Sequence, residues 1–354
     1  MKTPLYERHL ALAAKMRPFF GWEMPIEYRG VIAEHLHVRE SVGLFDVSHM
    51  GQVRVQGKDA EPFLDYLSTN RIVGKDDGTA VYTVWADEDG MAVDDLLLFR
   101  ESATSFLVVV NGSNRAKDLA HMQLYAKSFD VTVENLYETH SILALQGPRS
   151  LSVVEKILPT VANLLFMTFC SIEYEGADLI ASATGYTGEK GFELYLPNRL
   201  AEPIWDRLME EGRGLIAPVG LAARDTLRLE KGFALYGNEL TEEISAVESV
   251  ARWAVKLKKD AFVGKKKMAA IKESVSCRRQ YGVVLDSPRI PRQQDPLFVD
   301  GEAIGFVTSG TRSPSLKKSI AIIMVDHPLE EGDRVQIEIR GKNEAATVVP
   351  LPFV

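Results

Sequence analysis

Apolar and polar positions follow two different periods along the first 57 residues. Residues 3–16 begin with Thr-Pro, a pair that suits a helix start, and their pattern predicts a helix. The segment FFGWEMPIEY at 19–28 is punctuated by Gly and Pro and is predicted to be an aromatic loop. A second helix is predicted over 31–43, ended by its final glycine. Residues 44–57 then alternate with a period of two, which is typical of a strand.

The pattern between residues 58 and 135 predicts a helix, a hairpin, a strand, a helix and a strand. AVYTVW at 80–85 and LLLFR at 96–100 flank the turn ADEDG, and SFLVVVN at 105–111 is typical of a buried strand. These elements indicate an α+β unit with an antiparallel sheet.

The second half of the chain first combines strand patterns with helix patterns and then, from residue 278, contains mainly strand patterns. Strands are predicted at 142–147 and within 177–196, and helices at 201–211 and 218–231. We expect this unit to rejoin residues 1–50. Residues 278–354 are rich in short strands and turns, which predicts a small β-barrel or sandwich.

Length and charge narrow the classes of protein. The chain has 354 residues, which exceeds the roughly 250–300 residues at which single cores stop growing, so two or three domains are expected. A net charge of −8 argues against a nucleic-acid surface, because phosphate binding needs clustered Lys and Arg. Only residues 256–272 are locally basic, and this stretch is either a solvated face or a docking surface for an acidic partner.

Short segments of the chain bear on the cellular location of the protein and on metal binding. The N-terminal segment mixes acids and bases, and no apolar run approaches the roughly 18 residues that a membrane span needs. We therefore expect a cytoplasmic protein that binds no membrane. Cys170 and Cys277 are too few for a disulfide framework or a thiolate site. His35 and His37 have the wrong spacing for ligands on one helix face, so no metal is expected.

Two adjacent acids, Asp94 and Asp95, lie where a strand would favour Val or Thr. Successive side chains of a strand point to opposite faces, so only one of the two acids can face a given cavity. Either both carboxylates cap a hairpin in solvent, or one lies at a pocket rim and faces a basic nitrogen of a ligand.

Two further stretches carry candidate binding residues. The loop ATGYTGEKG contains three glycines near Tyr186, and in the strand that follows Glu193 shares a face with Tyr195. The loop lacks both the Walker pattern and the dinucleotide glycine pattern. In the helix predicted over 218–231, Arg224 and Arg228 are one turn apart. They form surface ion pairs with neighbouring acids, or one of them points inward and holds a carboxylate or a polar ring edge of a ligand.

Together these segments resemble the glycine cleavage system T proteins, which are aminomethyltransferases. The similarity covers essentially the whole chain. It is carried by TPLYERH, FFGWEMPIEY, VRESVGLFDVSHMG, DGTAVYTVW, VDDLLLF, LVVVNGSN, LALQGP, TGYTGEKGFEL, GLAARDTLRLEKGFALYGNEL, VTSGTRSP and the closing VVPLPF.

The resemblance implies an α+β fold, a cloverleaf of three domains around a central folate site. The first domain is expected to be discontinuous and to comprise residues 1–50 and 137–250. A ferredoxin-like domain at 51–136, a linker at 251–277 and a C-terminal β-barrel at 278–354 are expected to complete the chain.

The implied reaction moves a one-carbon unit from the aminomethyl-lipoyl arm of H protein to tetrahydrofolate and releases ammonia. Residue by residue, the family's functional acid corresponds to Asp95, the implied catalytic residue, which would hydrogen-bond near the folate N10 and orient the attacking nitrogen. The residues implied to bind folate are Tyr82, Asn111, Tyr186, Glu193 and Arg224.

Three positions depart from the family pattern. Met91 replaces a second glycine before the acids, Ala183 replaces an arginine, and Val354 stands where a tyrosine of the ligand pocket is common. Alternative functions are a folate-dependent demethylase of a small methylated substrate and an inactive folate-binding paralogue. A folate-binding iron–sulfur assembly protein is disfavoured because the glycine-rich loop lacks a cysteine.

Overall fold

A computed structural model describes all 354 residues. None of its helices is both long and apolar enough to cross a membrane. Short 3₁₀ helices lie at Pro159–Asn163, Asn198–Leu200 and Val250–Ala254. The α-helices are α1 (Tyr6–Ala11), α2 (Val31–Glu40), α3 (Ala60–Leu67), α4 (Arg115–Ala126), α5 (Ser150–Val154), α6 (Ala201–Glu211), α7 (Leu221–Glu230) and α8 (Lys265–Glu273).

The strands form one two-stranded, one six-stranded and one five-stranded sheet and a closed barrel. In chain order they are β1 (Lys15–Phe19), β2 (Trp22–Glu27), β3 (Val42–Asp46), β4 (Gly51–Gln56), β5 (Thr79–Ala86), β6 (Ala92–Ser102), β7 (Ser105–Val110), β8 (Thr132–Asn135), β9 (His140–Gln146), β10 (Phe169–Tyr174), β11 (Ala177–Ser182), β12 (Gly191–Pro197), β13 (Ile216–Pro218), β14 (Arg279–Leu285), β15 (Pro296–Val299), β16 (Glu302–Arg312), β17 (Ser319–Val325), β18 (Arg334–Ile339) and β19 (Lys342–Val349).

The chain divides into two compact units. The first comprises Met1–Asp65, Ile72–Tyr82 and Leu96–Asp225, and the second comprises Tyr66–Arg71, Thr83–Asp95 and Thr226–Val354. The predicted α+β class and the C-terminal barrel are confirmed. The residue boundaries of three domains stay a prediction.

The six-stranded sheet of the first unit has the order β10-β11-β12-β9-β3-β13 and is antiparallel except for the β3–β13 pair. On β12, Phe192 and Leu194 join the hydrophobic core, so the predicted alternation along this strand is confirmed. Trp205 of α6 is buried in the same cluster. Each such fully buried apolar side chain contributes about 1.5–3 kcal/mol. This core therefore fixes which face of β12 carries its polar side chains.

The N-terminal prediction is wrong in two places. The first helix ends at Ala11, and the expected aromatic loop forms the hairpin β1–β2, in which Phe19 pairs with Trp22. Its tip residues Phe20 and Gly21 have φ values of +46° and +81°, as a two-residue hairpin turn requires.

Gly43 does not end α2, because it lies inside β3. A Cβ atom at Gly43 would lie 2.5 Å from Cγ2 of Val38 and 2.8 Å from Cγ2 of Val219. The glycine therefore allows close helix–strand packing rather than a helix stop, which local sequence patterns do not distinguish.

The five-stranded sheet has the order β5-β6-β7-β4-β8. The predicted turn between β5 and β6 is present: the Asp87 N–H donates to the Met91 carbonyl at 3.0 Å, and the Gly90 N–H donates to the Asp87 carbonyl at 3.1 Å. Gly90 has φ +82°, whereas Met91 is outside the left-handed region. The loss of a second glycine at Met91 therefore costs the turn no backbone strain.

The second unit contains the barrel, which closes in the order β14-β17-β16-β15-β18-β19. Closure occurs because β14 pairs with both β17 and β19. Alternate side chains such as Val283, Ile323 and Ile337 fill the interior and have no exposed surface.

A buried ion pair ties the last turns of α7 to the barrel. Arg228 Nη1 donates to Glu239 Oε2 at 2.8 Å, and the two side chains are 1% and 0% exposed. Thr308 of β16 donates to the other oxygen of Glu239 at 2.6 Å, and Arg228 Nη2 donates to Ser309 at 2.9 Å. Arg228 therefore forms a buried pair with a residue beyond the helix, and the alternative of a surface ion pair is wrong for this arginine.

Glu239→Ala should lower the free energy of unfolding by about 3–5 kcal/mol, because Arg228 is left as a buried charge without its partner. Glu211→Ala, which breaks the exposed Arg207 pair on α6, should cost about 0.5 kcal/mol. Urea denaturation of both variants checks this. Equal losses in the two variants would show that the buried pair does not anchor the helix.

Candidate functional site

The six predicted site residues lie on or beside four strands and one helix. Five of them are in the first compact unit, and Asp95 is in the second. Their positions are Tyr82 on β5, Asp95 on β6, Asn111 directly after β7, Tyr186 in the loop before β12, Glu193 on β12 and Arg224 on α7.

Asp94 and Asp95 are both buried, with exposed fractions of 0% and 9%. They are the third and fourth residues of β6, so their side chains point to opposite faces of the strand. The interpretation of two solvated hairpin caps is wrong. Asp95 is the more accessible of the two, and its role at a pocket rim stays a prediction.

Glu193 is 5% exposed, and one of its two carboxylate oxygens is occupied. Its Oε2 accepts from Thr184 Oγ1 at 2.5 Å and from the Tyr195 hydroxyl at 3.0 Å. Burial, followed by the charge of Glu193, raises the pKa of Tyr195 well above its ordinary value, so the phenol stays a donor. The structure gives Oε1 no donor, and a carboxylate oxygen can accept two hydrogen bonds.

Arg224 is held over an aromatic ring, with its Cζ atom 4.8 Å from the ring centre of Tyr186. Its Nη2 lies 4.0 Å from Sδ of Met50. Its Nη1 is buried and has no hydrogen-bond partner. Burial lowers the pKa of Arg224, and the nearby carboxylate of Glu193 acts in the opposite direction. Leaving a buried charged donor unsatisfied costs about 1–3 kcal/mol or more, which a ligand acceptor would recover.

The glycine-rich loop wraps around a protein side chain. The Gln146 amide donates to the Thr184 carbonyl at 3.1 Å and accepts from Thr187 Oγ1 at 2.9 Å. A Cβ atom at Gly185 or Gly191 would collide with that amide. The close backbone approach expected from the glycines is therefore made to Gln146, and it fixes Tyr186 between two anchored segments.

A short backbone path connects this loop to β5. The Met167 N–H donates to the Ala183 carbonyl at 3.0 Å, and the Ala80 N–H donates to the Met167 carbonyl at 2.9 Å. Tyr82 lies two residues after Ala80 on the same strand. Ala183 itself is 8% exposed and packs in the hydrophobic core.

His49 and Met50 are site residues that the sequence analysis did not single out. His49 is 6% exposed, its Nδ1 has no partner, and its ring packs edge-on against Phe19 at 5.2 Å. Burial, followed by the charge of Arg224, lowers the pKa of His49 to about 4, against the opposite effect of Asp46. The available signal was the His-Met pair inside the segment 44–57, in the motif VRESVGLFDVSHMG, which entered only through the resemblance.

Gly112, the residue after Asn111, lies close to this histidine. A Cβ atom at Gly112 would lie 2.7 Å from Cδ2 and 2.8 Å from the carbonyl oxygen of His49. Only glycine lets the segment after β7 pass this close to His49. The backbone directly after Asn111 therefore packs against His49.

The arrangement in the first unit combines a free carboxylate acceptor, a free guanidinium donor and aromatic faces. Such a set suits a flat heterocycle with N–H donors on one edge and an oxygen acceptor, because both the polar edge and the ring face are matched.

Two family models match successive parts of the chain. Residues 5–259 match the family described as GCVT N-terminal domain, and residues 278–354 match the glycine cleavage T-protein C-terminal barrel domain. A Chlorobium luteolum protein named aminomethyltransferase is 42% identical over 360 residues, which cover 100% of this chain and 98% of the relative. A Desulfitobacterium hafniense protein of the same name is 43% identical, with coverages of 99% and 97%.

A solved structure is also similar over the full length. The crystal structure of the glycine cleavage system aminomethyltransferase T from Bartonella henselae superimposes with a TM-score of 0.93 at 36% identity. The match covers 100% of this chain and 98% of that one.

His49→Gln should reduce the loss of folding free energy that occurs as the pH falls below 7. The folded pKa of His49, about 4, is lower than the unfolded value of about 6.5, so the unfolded state binds the proton first and stability falls as pH drops from 6.5 towards 4. Between pH 7 and pH 5 the wild type should lose about 2 kcal/mol more than the variant. Denaturation midpoints at several pH values measure this, and parallel profiles would contradict it.

Proposed function

The chain belongs to the glycine cleavage T-protein family, and from that premise we propose that Tyr82, Asp95, Asn111, Tyr186, Glu193 and Arg224 bind and orient tetrahydrofolate. Family membership makes the chain an aminomethyltransferase, a one-carbon transferase with tetrahydrofolate as its co-substrate.

The observation that carries the proposal is the pair of unused hydrogen-bonding atoms on Glu193 and Arg224. A reduced pterin presents an amino group and a ring N–H on one edge, beside a carbonyl oxygen. We assign the two N–H donors to Glu193 Oε1 and an oxygen of the folate to Arg224 Nη1. Tyr186, under the guanidinium, provides a ring face beside that contact.

Asp95 is assigned to the reacting end of the folate. The one-carbon unit leaves its carrier with iminium character, and a carboxylate beside developing positive charge lowers the barrier by about 3–4 kcal/mol. The folate nitrogens are weak nucleophiles, and holding them at attack distance supplies up to about 7–11 kcal/mol more. The low exposure of Asp95 supports this role, because a carboxylate in bulk water would be screened.

The one-carbon donor is proposed to be the aminomethyl-lipoyl arm of H protein, docked on the basic stretch at 256–272. Two of its lysines serve the fold: Lys259 donates to the carbonyls of Ser68 and Asn70 at 2.8 Å each, and Lys265 donates to the Asp260 carbonyl at 3.0 Å. Lys266 and Lys267 are exposed on α8. The docking surface is therefore proposed to centre on these two residues.

Asp95→Asn should lower kcat for methylene-tetrahydrofolate formation about 100- to 1,000-fold, because the charge that stabilises the iminium is removed while the side-chain size is kept. Tetrahydrofolate affinity and the thermal unfolding midpoint should be retained. Asp94→Asn, on the opposite face of β6, serves as the control and should keep its kcat. A wild-type rate in Asp95→Asn would remove the proposed role.

Charge reversal on α8, with Lys266→Glu and Lys267→Glu together, should raise KM for loaded H protein about tenfold and leave kcat unchanged, because association of charged surfaces is steered electrostatically. The matched control reverses two exposed lysines elsewhere, Lys75→Glu and Lys127→Glu. Steady-state rates at varied H protein and salt concentrations give KM and kcat for each variant. An unchanged KM in the α8 variant, or the same rise in the control, would place docking elsewhere.

A further inference from the structure

The first compact unit contains a cavity of about 360 Å³ that includes none of the six predicted site residues. It lies between strands β4, β6 and β7 of the five-stranded sheet and strands β9 to β12 of the six-stranded sheet, and all of its lining residues belong to this unit. Its volume is at the lower end of the roughly 300–1,000 Å³ of ligand pockets. The cavity therefore needs an explanation apart from the folate assignments.

One wall of the cavity is a row of side chains on three adjacent strands. Ser171 of β10 pairs with Ile180 of β11, which pairs with Tyr195 of β12. Directly paired residues point to the same face of a sheet, so these three side chains are neighbours. The Tyr195 hydroxyl donates to Glu193, so the ring of Tyr195 is the part that remains for the cavity. Leu107, in the opposite wall, is 2% exposed. These walls give the cavity an apolar surface.

The Gln52 side chain brings a buried acceptor without a partner to this cavity. Gln52 lines the cavity and is 1% exposed. Its Nε2 donates to the Ser141 carbonyl at 3.2 Å, which fixes the orientation of the amide because a carbonyl can only accept. Its Oε1 is buried and has no hydrogen-bond partner. A buried acceptor without a donor is costly, and a ligand N–H group would recover that cost.

Two carboxylates at the exposed end of the cavity have no cationic partner. Asp178 lines the cavity, and Glu173 lies directly opposite it in the pairing of β10 with β11. Both residues are exposed, and the structure shows no ion pair for either. Like charges directly opposite each other destabilise a sheet. A bound cation would relieve this repulsion.

The other charged groups of the lining cancel. Arg54 forms an ion pair with Glu101, and Glu101 also accepts from the Ser105 hydroxyl at 2.6 Å. Burial, followed by the charge of Arg54, lowers the pKa of His140, so its imidazole adds no positive charge at neutral pH. The lining therefore has a net negative charge from Asp178, and it favours a cation over an anion.

We propose that this cavity binds a short alkyl diamine, which has an ammonium group at each end of a methylene chain. One ammonium group pairs with Asp178 and Glu173, and the other donates to Gln52 Oε1. The methylene groups contact Ile180 and the ring of Tyr195. The charges match, because a doubly charged cation meets two carboxylates, and the buried acceptor gains its missing donor. The inference does not rest on the folate assignments, since the cavity shares no residue with them.

Calorimetric titration of the full-length protein with putrescine, a four-carbon diamine, tests the proposal. The wild type should bind putrescine at one site at low salt. It should bind n-butylammonium, which lacks the second donor, about tenfold more weakly, because Gln52 Oε1 then stays without a partner. Succinate, which carries the opposite charge, should not bind. Added salt should weaken putrescine binding, because it screens the exposed carboxylates.

Variants of the lining locate the binding. Asp178→Asn with Glu173→Gln should weaken putrescine binding about fivefold and keep the thermal unfolding midpoint, because both residues are exposed. The matched control, Glu40→Gln with Glu155→Gln, removes two exposed acids outside the cavity and should bind putrescine as the wild type does. Gln52→Met should bind putrescine no more tightly than n-butylammonium.

The site is overturned if the wild type does not bind putrescine. Equal affinities of the wild type for putrescine and n-butylammonium would overturn the contact with Gln52, and this comparison decides even if Gln52→Met does not fold. Putrescine binding that is unchanged in the Asp178 and Glu173 variant, or that is weakened equally in the control, would place the diamine outside this cavity.

Discussion

Two charged side chains of the first unit, Glu193 and Arg224, have hydrogen-bonding atoms that the chain leaves without a partner. One carboxylate oxygen has two donors and the other has none, and one guanidinium nitrogen is buried without an acceptor. Buried charged groups are costly unless they are paired, so a fold that keeps both in this state gains when a complementary ligand enters. For a T-protein family member, we propose that this ligand is the flat, hydrogen-bonding head of tetrahydrofolate.

The rest of the structure keeps these two groups in place. Glu193 is fixed because its neighbours on β12 are part of the hydrophobic core, which orients every second side chain of the strand. Arg224 lies one turn before Arg228, whose buried pair with Glu239 holds the end of α7. Gln146 holds the loop that bears Tyr186. The polar groups of the site are thus positioned by packing and by buried ion pairs rather than by each other.

The sequence predicted the elements that depend mainly on neighbouring residues along the chain. The alternation on β12, the turn before β6 and the C-terminal barrel follow from hydrophobic period and turn residues, and all three are present. Tertiary contacts decided the rest. Gly43 serves packing against Val38, and the loop glycines make room for Gln146. Burial, followed by the charge of Arg224, which is far away in the sequence, lowers the pKa of His49. No sequence window contains these partners, so their roles required the folded chain.

A crystal structure of the protein with bound tetrahydrofolate tests the central claim most directly. We expect the pterin N–H groups to lie within hydrogen-bonding distance, about 3 Å, of Glu193 Oε1, and Arg224 Nη1 to contact an oxygen of the same ligand. A folate bound elsewhere, with both atoms still without partners, would contradict it.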